Sequence, residues 1–181
     1  VVGDSDWATQ CVDCPKIIEE MGDRRLRLDA SGRPHVVYGG DYLYHAWQDG
    51  ATWRIETVDS APGVGLYASL AVDSNGLLHI SYYDGTNRNL KYARQLPAGW
   101  SISTVDSSGD VGASSAIALD RDNRPIIAYY DDTQTALKQA RWTGSTWELR
   151  SVDATGWVVR DISLALDSNG RSRISYYDLG D

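Results

Sequence analysis

The sequence predicts an all-β fold, a β-propeller of four-stranded blades, on three observations. Landmarks return at a fixed interval: Trp53, Trp100 and Trp147 stand 47 apart, as do Leu43, Leu90 and Leu137. The pairs Val58-Asp59, Val105-Asp106 and Val152-Asp153 keep the same step. Asp29, Asp73, Asp120 and Asp167 close the runs RLRLD, SLAVD, AIALD and SLALD at intervals of 44, 47 and 47. Each period also holds four short runs with strand-like alternation, and four antiparallel strands per ~45 residues are the mark of a propeller blade.

The second unit shows the elements most plainly. SLAVD (69–73), LLHISYY (77–83), NLKYARQ (89–95) and WSISTV (100–105) read as strands. Asp-Ser-Asn-Gly at 73–76 supplies the positive backbone angles of a tight hairpin, and Asp-Gly-Thr-Asn, Pro-Ala-Gly and Asp-Ser-Ser-Gly form the other turns. Only 15–21 carries any helical signal. Trp7 with Val12-Asp13 repeats the spacing of Trp147 with Val152-Asp153, so the chain opens on a fourth strand and ends just past a second one. The expectation is one domain of four blades. Three are whole (22–67, 68–114, 115–161), and the fourth is split between 162–181 and 1–21. A ring built from two chains and a piece of a longer propeller are the rivals.

Composition narrows the function. The 181 residues carry a net charge of −8, which argues against binding nucleic acid by phosphate neutralisation. No apolar run approaches the ~20 residues that span a bilayer, so no membrane insertion is expected. The chain starts at Val1 with no visible signal peptide, which reads as a processed form or a fragment. With 11 Tyr and 7 Trp but no Phe, its aromatics bury a ring while keeping a polar end wet. Cys11 and Cys14 form a C-x-x-C. It could be a redox pair, half a zinc site or a small disulfide loop; the lack of further ligands and of βαβ context favours a structural disulfide or inert thiols, and an oxidised pair would suit a secreted protein.

Units of the form S-L-A-L-D-S-N-G…I-S-Y-Y-D…L-K-Y-A…W…V-D resemble repeats of bacterial secreted or surface propeller proteins, broadly sialidase-like in architecture. The resemblance implies an extracellular or cell-surface protein and identifies a repeat, not an activity. The sialidase Asp-box, S-x-D-x-G-x-T-W, is echoed only by Gly144-Ser145-Thr146-Trp147. The arginine triad and Tyr-Glu pair of sialidases have no counterparts that can be placed.

Strand alternation puts Asp84, Asp131 and Asp178 on one face with Asp13, Asp59, Asp106 and Asp153, at the end of the 2–3 and 4–1 loops. An acidic rim could serve hydrolysis or hold Ca²⁺, but a recurrence in every unit favours turn capping. No cofactor is expected otherwise. The recurring Trp7, Trp53, Trp100 and Trp147 read as wedges between blades. His35 and His79 share a register that also accepts Ile126 and Arg173, which is not how a metal ligand behaves.

Function is expected where a unit breaks the pattern. Arg25 and Arg27 stand where Ser69 and Ala71 recur; Gly39-Gly40 replaces Tyr83-Asp84, opening space near Asp41 and Tyr42; Trp157 and Arg160 mark one 4–1 loop. The reading is a binding module, leaning away from an enzyme, that takes a glycan or protein on this face through Arg25, Arg27, Tyr42, Trp157 and Arg160. A glycan-active hydrolase or lyase is the alternative, and a structural module in a homo-oligomer or larger assembly is the third.

Overall fold

A computed structural model describes residues 9–14, 16, 23–155 and 161–178. After a 3-10 turn (Asp23–Arg25), three four-stranded antiparallel sheets follow one another. The first is β1 (Leu26–Leu28), β2 (Pro34–Gly39), β3 (Leu43–Asp49) and β4 (Thr52–Asp59). The second is β5 (Val64–Val72), β6 (Leu78–Asp84), β7 (Asn89–Leu96) and β8 (Gly99–Asp106). The third is β9 (Val111–Leu119), β10 (Pro125–Asp131), β11 (Ala136–Trp142) and β12 (Trp147–Asp153). A two-stranded sheet, β13 (Ser163–Leu166) with β14 (Ser172–Ser175), comes last among the described residues. The expected helical signal at 15–21 lies, apart from Lys16, outside the described residues.

Each turn between the first two strands is built the same way. An aspartate carboxylate accepts two backbone N–H groups of its own turn: Asp73 from Asn75 and Leu77, Asp120 from Asp122 and Arg124, Asp167 from Asn169 and Arg171. The inner strands start earlier than their alternation suggests: β5 begins at Val64, not Ser69. Its pairing slips at Val64/Leu66 and Leu66/Ser69, and Tyr67 takes a positive φ of 50°, so a bulge scrambles the period-two pattern there. Ser114 and Asp161, each 47 further on, have φ of 52° and 55°.

The apolar core lies in the seams between sheets. Val37, Leu43 and Val58 of the first sheet pack with Val64, Leu70, Leu78, Ile80 and Tyr82 of the second. Leu90, Tyr92 and Val105 then pack with Val111, Ile117, Ile127 and Tyr129 of the third. Backbones approach closely here: a Cβ on Gly112 would lie 2.8 Å from the Cα of Leu90. β13 and β14 lean on the third sheet through Ile162, Leu164 and Ile174. No ring closure is seen among the described residues, and β1 leaves Leu26 and Leu28 50% and 61% exposed.

A polar bolt crosses each seam. Tyr82 donates its hydroxyl to Asp59 of the preceding sheet at 2.7 Å, and Lys91 reaches the same oxygen at 2.6 Å. One seam on, Tyr129 and Lys138 bind Asp106 at 2.6 and 2.7 Å, and Lys138 also faces Asp131 at 3.2 Å. Tyr176 donates to Asp153 in the same way. Tyr38 donates to Asp13 at 3.0 Å, which ties the segment around Cys11–Cys14 to the first sheet.

Burial by itself would raise the Asp106 pKa, but hydrogen bonds from Lys138, Ser108 and Tyr129 outweigh it and hold the value at about 2. A depressed folded-state pKa means that the stability it contributes is full above the ordinary value of 3.8 and is lost as pH falls towards 2. Urea titrations from about pH 5 down to pH 2 should show that loss in the wild type and a smaller one in Asp106→Asn, the remainder coming from the other aspartates with lowered pKa, such as Asp59 and Asp73. Lys138→Met, which strands Asp106 and Asp131 as buried carboxylates, should cost about 3 kcal/mol at neutral pH in the same assay.

Candidate functional site: a cleft in the second seam

Aromatic and polar side chains meet where the second sheet faces the third, at the end of the 1–2 and 3–4 turns. The cleft there has a volume of about 520 Å³. One wall is Tyr92 and Arg94 of β7 with Ser101 and Ser103 of β8; the other is Trp142 and Trp147, which flank the turn between β11 and β12. The 1–2 turns close its end with Asn75 from one sheet and Asp122, Asn123 and Arg124 from the next. These turns are tied together: Asn123 accepts the backbone N–H of Ser74 at 3.2 Å and donates its amide to the Ser74 hydroxyl at 2.8 Å.

The two tryptophans meet edge to face at 5.4 Å, and Trp147 stands edge-on to Tyr92 at 5.3 Å. That fixes an aromatic corner whose rings meet at steep angles and not in parallel stacks. Behind Tyr92 lies a buried relay. The Tyr92 hydroxyl lies 2.5 Å from Nδ1 of His79, and Nε2 of His79 faces Asp73 at 3.5 Å. Burial lowers the His79 pKa below its ordinary value, with Asp73 opposing, so the ring is neutral at pH 7. Burial raises the Tyr92 pKa, which keeps its hydroxyl a phenol. Tyr92 is thus locked in place, while Arg94, Ser101 and Ser103 stay exposed to whatever enters.

The matching place in the first seam is filled. His45, in the register of Tyr92, is buried and stacks between His35 and Trp47, each at 5.1 Å. It contacts Nδ1 of His35 at 2.9 Å and Oε1 of Glu56 at 2.9 Å, and Trp100 closes over it edge-on at 5.9 Å. Among the described residues, no group of three or more His, Cys, Asp or Glu side chains is arranged to hold a metal ion. One seam is packed shut and the next is open.

The other face looks different from the acidic rim that the sequence suggests. Asp59, Asp84, Asp106 and Asp131 are buried. Asp84 accepts the N–H groups of Thr86 and Asn87, and Asp131 that of Gln134, so these carboxylates cap turns. The space expected at Gly39 is also taken. A Cβ there would lie 2.3 Å from the Tyr42 carbonyl oxygen and 2.9 Å from the Cα of Gly65, so the missing side chain makes room for the next blade's backbone. Arg25 is buried at 2% exposure. Arg27 turns its guanidinium to the Leu26 carbonyl at 2.7 Å, and Tyr42, 39% exposed, meets Tyr44 edge-on. Trp157 and Arg160 lie outside the described residues, as does Trp7. Cys11 and Cys14 are joined in a disulfide.

The wedge role of the tryptophans is visible in three of them: Trp53 donates to Gln10, and Trp100 and Trp147 reach back to His45 and Tyr92 of the preceding sheet. Sequence reasoning missed the cleft, although a signal was present. Trp142 stands where the other units carry Gln48 and Gln95, a break in the repeat as clear as those at Gly39 or Arg25.

No family model and no curated protein matches the chain. Among solved structures it is similar to a fucose lectin from Kordia zhangzhouensis in complex with methyl-fucoside, at 21% identity and a TM-score of 0.51, covering 71% of this chain and 97% of that one. It is also similar to a protein of unknown function from Dyadobacter fermentans, at 16% identity and a TM-score of 0.64, covering 84% and 48%. A third is the NanB sialidase of Streptococcus pneumoniae, at 15% identity and a TM-score of 0.53, covering 85% and 27%. The chain spans less than half the length of the last two. At these identities the likeness is one of fold: a β-propeller architecture broadly like that of sialidases and fucose lectins.

A depressed histidine pKa gives stability that is complete above the ordinary value of 6.5 and is lost as pH falls below it. Denaturation at about pH 7.5 and pH 5.5 should therefore show a drop for the wild type that is smaller in His79→Gln.

Proposed function

We propose that this chain is a non-enzymatic binding module of a secreted or cell-surface protein, and that it holds a glycan in the cleft of the second seam. The observation that carries the reading is the Trp142–Trp147–Tyr92 corner, flanked by hydroxyl, amide and guanidinium groups. A pyranose has apolar faces and a hydroxylated rim, and such a corner offers both a stacking platform and hydrogen-bond partners. The lectin and glycoside-hydrolase neighbours agree with a glycan ligand. Against hydrolysis, the carboxylates of the opposite face are committed: Asp106 serves Lys138, Tyr129 and Ser108, and Asp59 serves Lys91 and Tyr82.

A second reading keeps the ligand on the face of the 2–3 and 4–1 loops, with Arg25, Arg27, Tyr42, Trp157 and Arg160. Its support is the exposed Tyr42 ring beside Tyr44, over which Lys16 lies 3.5 Å from the ring centroid. The four-blade count, with one blade shared between the termini, belongs to the same proposal. Its support is the Tyr38–Asp13 bolt, which repeats at the chain's start the contact made at the later seams. A solution mass of one 19.9 kDa chain agrees with it, and twice that mass replaces it with a two-chain ring.

A glycan array followed by titration calorimetry tests the site. Trp142→Ala should weaken binding by about tenfold or more with the circular dichroism unchanged. Loss of binding in Tyr42→Ala with Trp142→Ala unaffected would move the site to the opposite face.

A further inference from the structure

The cleft contains a cation whose counterpart in the third sheet is neutralised. In every unit the aspartate that caps the 1–2 turn has a second carboxylate oxygen directed at the strands behind it, and a basic or imidazole group faces it. Asp29 Oδ2 faces Arg33 and His35 at 3.3 and 3.4 Å, and Asp167 Oδ2 holds Arg171 and Arg173, both at 3.0 Å. In the third sheet the group is Arg141, at 3.2 Å from Asp120 Oδ2. Arg141 pairs across the strands with Ile126, and in the second sheet the same two positions are Arg94 and His79. There His79 is turned to Asp73 at 3.5 Å, and Arg94 has no carboxylate partner among the described residues. With histidine where the third sheet has isoleucine, Arg94 lacks the aspartate contact that its counterpart Arg141 makes, and it stands in the cleft.

The rest of the lining does not neutralise it. His79 is uncharged at pH 7, and the cleft's one carboxylate, Asp122, faces Arg124 at 3.7 Å. In a chain of net charge −8, the cleft therefore presents an uncommitted guanidinium next to an aromatic corner. A guanidinium fork matches a carboxylate in shape and charge.

We propose that the cleft selects a carboxylate-bearing saccharide, its acid group on Arg94 and its ring against Trp142 and Trp147. This rests on the glycan-site reading above and adds the class of sugar. An acidic peptide would bring the same charge, but it has less use for the hydroxyl and amide lining of Ser101, Ser103, Asn75 and Asn123.

The test is calorimetry of the full chain with methyl β-D-glucuronide, the methyl glycoside of N-acetylneuraminic acid, methyl β-D-glucoside and a hexaglutamate peptide. One of the two acidic sugars should bind about tenfold or more tighter than the neutral glucoside, which identifies its source as uronate or ulosonate. The preference should weaken with added salt and vanish in Arg94→Gln, an exposed position whose change should leave the fold intact. His79→Ile should reduce it as well, because Asp73 is then free to take Arg94 as Asp120 takes Arg141. Equal binding of acidic and neutral sugars, or a preference that survives Arg94→Gln, overturns the assignment while leaving the glycan site standing. Tightest binding of the peptide overturns it in favour of a protein ligand. Binding of no sugar by the wild type overturns both this proposal and the site reading.

Discussion

Everything in this molecule depends on holding one sheet face to face with the next, and a buried carboxylate does that between the first and second sheets and between the second and third. Asp59 and Asp106 end the outer strand of one sheet and receive a tyrosine and a lysine from the following one. An unpaired carboxylate would be costly in such a place, so the three groups are useful only together. The apolar side chains of the seams supply the bulk of the driving force, but apolar contact is indifferent to register. The bolt is directional, and it fixes which strand end faces which.

This accounts for the Tyr-Tyr-Asp that returns along the chain. Its first tyrosine is the buried bolt, Tyr82 or Tyr129. The second is half-buried at the next loop, where Tyr83 donates to Asp110 at 2.7 Å. The aspartate caps the turn that follows. Where the motif is broken, at Gly39-Gly40, the next blade's backbone moves in and no pocket is left. A missing side chain in a close-packed seam is more readily filled than kept open.

Because the bolts sit towards one end of each seam, the other end is free to differ from unit to unit. His45 packs the first seam shut between the His35 imidazole and the Trp47 indole, while Tyr92 in the second stands back against His79 and leaves room in front of Arg94 and the tryptophans. The same scaffold positions thus produce a solid joint and a cleft. The difference is carried by a few side chains in equivalent registers, which is how a repeat protein acquires a site without altering its fold.

The period, the four strands per unit, the turn-capping aspartates and the wedge tryptophans were legible in the sequence. Each rests on local chemistry, turn residues and alternation, that survives any tertiary arrangement. The bulged starts of β5 and β9 were not legible, since residues such as Tyr67 and Ser114 take a positive φ that non-glycine residues rarely adopt and that no local signal announces. Nor was the pairing of Tyr with the preceding Asp, because it joins residues 23 apart through packing that no periodicity encodes. For the site, the sequence determined which residues break the repeat. Which breaks are filled and which are open was decided by the tertiary structure alone. Open space is the volume left over when neighbouring sheets have packed, a property of their mutual placement that no single strand carries.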